Sequence, residues 1–242
     1  TRWMAVGAGL LLAPDMVAYH ISMDFVGIGV ATLIGNSQVI LVTLVSWKLF
    51  GEKPNPAILF SLPIVMIGLL LISGIADSEP YGVDPVKGVI FGIATAIFYT
   101  TFLIVFRYCN RELAPVSSVQ FDATAGAAIG LLILGILPLS KVAVEPVDFQ
   151  PTWPGHGWLM LLALLSQVGG WLAVAYALPR LPAAHTSFAI LLQPVLTLIW
   201  GFLILNQDGH STNQLLGILL VLGAITSVTI YGSATTDGES PE

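Results

Sequence analysis

Eight apolar stretches divide the chain, and each is about long enough to cross the hydrocarbon core of a bilayer, which takes roughly 20 residues as a helix. They run approximately over 3–22, 26–50, 55–75, 87–107, 115–139, 156–178, 182–205 and 211–231. Short polar or Pro/Gly-rich breaks separate them, among them GEKPNP, DSEPYGVDP, CNRELAP and KVAVEPVDFQPTWPGHG. The segments are too long for barrel strands and lack alternation of period two, which excludes a transmembrane β-barrel. Charged residues make up 9% of the chain, against roughly 25% in a soluble domain. A surface so poor in charge must face an apolar solvent. The expected fold is therefore all-α, a polytopic transmembrane bundle of eight helices. Tight turns near Asp24 and Arg180 make antiparallel hairpins of their flanking helices.

Charge placement tests this layout. With the N-terminus on one side and strict alternation, Arg2, Lys48, Lys53, Arg107, Arg111 and Arg180 fall on that side, and only Lys87 and Lys141 on the other. Basic residues gather on the cytoplasmic face, so both ends of the chain are expected there, in a bacterial-type inner membrane. Trp3, Trp47, Trp153 and Trp158 lie near helix ends, as interfacial residues do.

The two halves echo one another. Val17-Ala18-Tyr19 and Val174-Ala175-Tyr176 each close a helix, and each precedes a tight turn, an apolar helix, a polar turn and a Gly-bearing helix. The two copies start on opposite sides, which is an inverted structural repeat, the construction many transporters place around a midplane site.

These features resemble the EamA family of the drug/metabolite transporter superfamily. The resemblance is carried by YALPRLPAAHTSFAILLQPVLTLIWGFLILNQDGHSTNQLLGILLVLGAI, where Pro194, Asp208 and Gly217 occupy the family's places, and by the Gly51-Glu52 turn in the first half. Asp208 stands for the more usual Glu, and Gln38 stands where Pro is usual. The resemblance implies ten helices in two repeats of five, of which this chain matches helices three to ten. On that reading residues 1–76 form a partial first repeat, 77–86 an external linker, 87–232 the second repeat and 233–242 a cytoplasmic tail. The first two helices are expected to be missing, and the opening TRWMAVGAGLLL, without Met or a signal-peptide cleavage site, reads as a fragment or processed start. The resemblance further implies a secondary permease that exports small metabolites or drugs; a truncated non-transporting membrane protein and an intramembrane enzyme are the alternatives.

Charged groups inside membrane helices are costly and tend to be functional. Asp15 follows Pro14, which frees a backbone carbonyl beside it. Asp122 shares a helix face with Gly126 and Gly130. A carboxylate taken out of water holds a proton more readily unless a cation is near, which suits a proton or cation site. Thr32, Asn36 and Thr43 form one polar stripe, and Thr186, Gln193 and Thr197 form another in the corresponding helix; Gln38 points elsewhere. Tyr99, Gln167 and Trp171 add polar or aromatic groups. The substrate- or ion-binding candidates are thus Asp15, Asp122, Asn36, Tyr99, Gln167, Trp171, Gln193 and Thr197. Gly169-Gly170 reads as a hinge. The GxxxG spacings Gly88–Gly92 and Gly126–Gly130 read as close helix packing, and they also allow a homodimer.

Other chemistry is thinly represented. Cys109 is the only cysteine, so no intrachain disulfide and no cysteine metal site can form. The chain has no GxxxxGK[ST], GxSxG or HExxH, and no cofactor or metal is expected. A net charge of -6 and scattered basic residues argue against a nucleic-acid partner, leaving a small-molecule substrate and the lipid bilayer. A dyad of Asp15 and Asp122 sharing a proton is the one enzymatic arrangement the sequence leaves open.

Overall fold

The computed structural model describes residues 2–73, 84–111, 115–136, 150, 152–205 and 212–233. Among the described residues the chain is helical and contains no strand. The helices are α1 (Arg2–Asn36), α2 (Gln38–Phe50), α3 (Pro56–Ile72), α4 (Pro85–Arg111), α5 (Val116–Ile136), α6 (Gly155–Leu162), α7 (Trp171–Ala177), α8 (Ala183–Ile190), α9 (Leu192–Leu205) and α10 (Thr212–Ser233). A π-helical stretch, Ala163–Gly170, joins α6 to α7. Among the described residues, five segments are long and apolar enough to cross a membrane: Arg2–Phe50, Pro85–Arg111, Val116–Gly135, Gly155–Ala177 and Thr212–Tyr231. The first has 49 residues. At 1.5 Å per residue that is about 70 Å of helix, more than twice the thickness of a hydrocarbon core.

Local chemistry sets the helix ends. Asn55 caps α3, its Oδ1 accepting from the Ile58 amide at 2.9 Å, with Pro56 in the first turn where a missing N–H costs nothing. Asp84 does the same for α4 ahead of Pro85, accepting from the Lys87 amide at 3.1 Å. Its carboxylate also meets Lys87 Nζ at 2.9 Å, and that hydrogen bond holds the Asp84 carboxyl below its ordinary value. Gly51 ends α2 in the left-handed conformation at φ 69°.

The turn expected near Asp24 lies three residues later. Asp24 is helical, and α1 breaks at Gly27 (φ 78°, ψ 160°), a region of backbone space that only glycine enters cheaply. Two further breaks interrupt stretches that read as continuous. Ser37 separates α1 from α2, with its amide and its Oγ both bonded to the Ile34 carbonyl, at 3.1 and 2.6 Å. Leu191 separates α8 from α9 and its amide bonds to the Phe188 carbonyl at 3.1 Å.

The chain packs as two compact units. The first takes Thr1–Val17 and Thr101–Leu181. Here α1 lies parallel to α5: Arg2 meets Asp122, Val6 meets Gly126 and Ala13 meets Gly130. A Cβ at Gly9 or Gly126 would run into backbone of the facing helix, so the two helices pack closely through small residues. The end of α4 lies parallel to α7, with Phe102 and Phe106 against Trp171 and Arg107 near Leu178. By contrast, α6 and the π-helical stretch bury no side chain in this unit.

The second unit takes Ala18–Thr100 and Pro182–Glu242. Its core joins Val65, Leu69 and Ile72 of α3 to Phe188 of α8, Val195 of α9 and Val221 and Val228 of α10. Here α3 and α10 run antiparallel and cross at two glycines: a Cβ on Gly217 would lie 2.6 Å from the Gly68 carbonyl oxygen. Gly88 packs on Val26 and Gly92 on Ile34, so the latter part of α1 runs parallel to α4. The expected close-packing role of both GxxxG pairs is therefore met.

Candidate functional site

Four of the candidates, Asp15, Asp122, Gln167 and Trp171, belong to the first unit, and Asn36, Tyr99, Gln193 and Thr197 belong to the second. Asp15 is buried at 7% exposure one residue after Pro14, inside a helical run. Asp122 is buried at 5% exposure and is held by a cation that the sequence placed only as a charge near one end. Arg2 Nε donates to Oδ2 and Arg2 Nη2 to Oδ1, each at 3.1 Å. Both carboxylate oxygens are thus engaged by a fork of N–H groups, the strong bidentate geometry of arginine.

Trp171 and Gln167 are joined: the indole Nε1–H donates to Gln167 Oε1 at 3.2 Å. The Trp171 ring stands edge-on to Phe102 and Phe106, with centroids 5.2 and 6.2 Å away. This makes an aromatic cluster at the end of the π-helical stretch, where Gly169 and Gly170 leave the backbone bare of side chains. Gln167 itself is exposed.

The polar stripes lie in the second unit. Thr32 shares a hydrogen bond with Tyr19 Oη at 2.8 Å and bonds its Oγ1 to the Ile28 carbonyl at 2.7 Å. Asn36 Nδ2 donates to the Thr32 carbonyl at 2.8 Å, and Thr43 Oγ1 to the Val39 carbonyl at 2.7 Å. Ser37 and Leu191 keep right-handed helical dihedrals (φ -60°, ψ -12° and φ -64°, ψ -9°), and each tightens the helix by a single turn. Thr43 is separated from Thr32 and Asn36 by one of these turns, and Gln193 from Thr186 by the other. Thr186 is buried, Gln193 is exposed and Tyr99 is half-buried on α4. The side chain of Thr197 lies outside the described residues, as do Asp208, His210 and Lys141, residues 77–83 of the expected linker and residues 234–242 of the tail.

Three side chains that sequence pattern did not single out as site residues tie the helices together. Gln38 sits at the start of α2 with 1% exposure, and its Oε1 accepts from Ser187 Oγ of α8 at 3.1 Å. Its Nε2 is buried without a hydrogen-bond partner. Arg107 is 2% exposed, and its Nε and Nη2 donate to the carbonyls of Leu178 and Leu181 at 3.0 and 2.8 Å. The cation thereby satisfies carbonyls left open where α7 ends, and it suits the negative end of a helix. Glu52 reaches the first amide of α8, accepting from Ala183 N–H at 3.0 Å. For Arg107 the available signal was its place in the last two turns of α4, where a charge cannot be left facing hydrocarbon. Nothing in the local sequence marks Glu52 or Gln38 as a helix-pairing residue, since their partners lie 131 and 149 residues away.

Among the described residues no group of three His, Cys, Asp or Glu lies close enough to hold a metal ion.

The profile of the EamA-like transporter family matches residues 86–230. An uncharacterized transporter of Synechocystis is 26% identical over 98% of this chain and 70% of its own length. An uncharacterized transporter of Archaeoglobus fulgidus is 22% identical over 80% of this chain and 64% of its own. A solved crystal structure, 20% identical, matches the fold with a TM-score of 0.72 over 95% of this chain and 77% of its own. The chain is thus an α-helical integral membrane protein, and it belongs to the EamA-like transporter family.

Proposed function

We propose that this protein is a secondary permease that exports small metabolites or drugs by alternating access, with eight crossings arranged as parts of two inverted repeats. The observation that carries the reading is a pair of matching helix interruptions. One helix of each half is interrupted by a single tightened turn, at Ser37 and at Leu191, and the two lie against one another with Gln38 hydrogen-bonded to Ser187 beside these turns. Discontinuous helices paired across a repeat are how transporters of this construction expose backbone groups to a midplane site.

Helix directions support eight crossings. Counting the two runs of α1 and α2 about Gly27 as separate passes, strict alternation makes α1 parallel to α5, the Ser37-broken helix parallel to α4, and α4 parallel to α7. It also makes α3 antiparallel to α10 and α2 antiparallel to α8. Each relation agrees with the order of facing residues given above. On this topology the N-terminus and the last helix end on the same, cytoplasmic side of the inner membrane, and residues 1–76 and 87–232 hold the two repeats.

In the transport cycle Asp15 is the coupling carboxylate. It is buried and adjoins a proline in a membrane helix, where a carboxylate is costly and tends to be functional. Asp122, clamped by Arg2, is the lesser candidate and would first have to leave its partner. Asn36, Tyr99, Gln167, Trp171, Gln193 and Thr197 are proposed to line the substrate path. Proteoliposomes loaded with candidate metabolites test the reading. Flux should follow an imposed proton or cation gradient, and Asp15→Asn should retain folding but lose the gradient dependence. Flux indifferent to every gradient, with Asp15→Asn behaving as wild type, would remove the coupling role.

A further inference from the structure

Helix α8 begins without a cap of its own. The residue before it is Pro182, which offers neither an N–H nor a side-chain acceptor. The positive end of the helix is met instead from another part of the chain, by the carboxylate of Glu52, at 3.0 Å from the Ala183 nitrogen. Glu52 reaches this position because Gly51, in the left-handed conformation, turns the backbone sharply after α2. Helices α2 and α8 therefore touch at two levels. Gln38 and Ser187 join them beside the two breaks, and Glu52 and Ala183 join them at the outer end.

An eight-residue helix has little stability of its own and takes its position from tertiary partners. One end of α8 is the single turn at Leu191 that separates it from α9. The other end is the one that Glu52 meets. We propose that Glu52 is a positioning residue whose carboxylate holds α8 against α2 on one face of the membrane, and that this hold is released and remade in each transport cycle. The proposal rests on the transporter reading, because alternating access requires the helices that close one face to part when that face opens.

The pair can be converted from a reversible contact to a covalent one. In a Cys109→Ser background, Glu52→Cys with Ala183→Cys should cross-link on oxidation. Oxidised protein in liposomes should lose the flux that the same double-cysteine variant shows when reduced, and a reductant should restore it to that level. A second measurement needs no substrate. With Thr186→Cys in the same background, Glu52→Ala should raise labelling by a water-soluble thiol reagent about tenfold, the scale of losing one charge-assisted hydrogen bond. Glu52→Gln, which keeps an acceptor oxygen, should return labelling towards the level of the Glu52 protein. A cross-linked protein that transports at the uncross-linked rate overturns the proposal, and so does labelling that is the same with Glu52, Gln or Ala. Wild-type flux is measured first, so a failure of transport itself counts against the transporter reading, while the labelling rates judge the hold.

Discussion

Arg2 shows how one side chain changes the reading of another. Asp122 on its small-residue face was open to a proton, a cation or a partner carboxylate, and the arginine fork 120 residues away supplies a cation as its partner. Removing either partner leaves the other without its counter-charge. Arg2→Ala and Asp122→Asn should each lower the unfolding temperature in detergent, and the double variant should lose less than the sum, as contacting residues do. Arg107 is a stronger case because it is wholly buried. Its two bonds to the Leu178 and Leu181 carbonyls are charge-assisted, so Arg107→Met should cost on the order of 3 kcal/mol in thermal or denaturant unfolding. Arg107→Lys should recover only part of this, since an ammonium cannot reproduce the planar fork. Neither bond was legible in sequence, where Arg107 counted only as one positive charge near a helix end. Gly27 was equally silent, because a glycine in an apolar run has many uses. Its backbone conformation gives Gly27→Ala an expected cost of about 1–3 kcal/mol, readable as a fall in unfolding temperature.

At the scale of elements the glycines separate into those that packing requires and those it does not. Gly217 faces the Gly68 carbonyl and the Ile72 amide, which are backbone and cannot rotate away. Gly217→Ala should therefore destabilise the α3–α10 pair by about 1–3 kcal/mol. A methyl group at Gly223 on the same helix would meet nothing within 4 Å, so Gly223→Ala should be neutral or stabilising by up to about 1 kcal/mol. The two variants measured side by side in detergent check the crossing. Both lie in one apolar helix and look alike in sequence. That the described segments are helical and apolar was legible, because a run of about 20 apolar residues has few alternatives. The interruptions were not. Ser37 and Leu191 are neither proline nor glycine, and each break is held by contacts around it.

For the whole molecule the testable quantity is topology. Single cysteines at Lys53, Arg111 and Arg180 should react with an impermeant reagent from the cytoplasmic side, and one at Lys87 from the opposite side. Labelling of Lys53→Cys and Arg111→Cys from different faces would break the eight-crossing arrangement. Composition pointed to a membrane protein, and the length of the apolar runs with no alternation of period two left helices, not a closed barrel, to satisfy the backbone in lipid. The order of turns and the Gly51-Glu52 and Pro194 motifs carried the family. What the sequence could not supply was pairing. Which carboxylate meets Arg2, which amide Glu52 caps and which helices cross at bare glycines depend on residues more than a hundred positions apart, brought within about 3 Å only by the packing of whole helices.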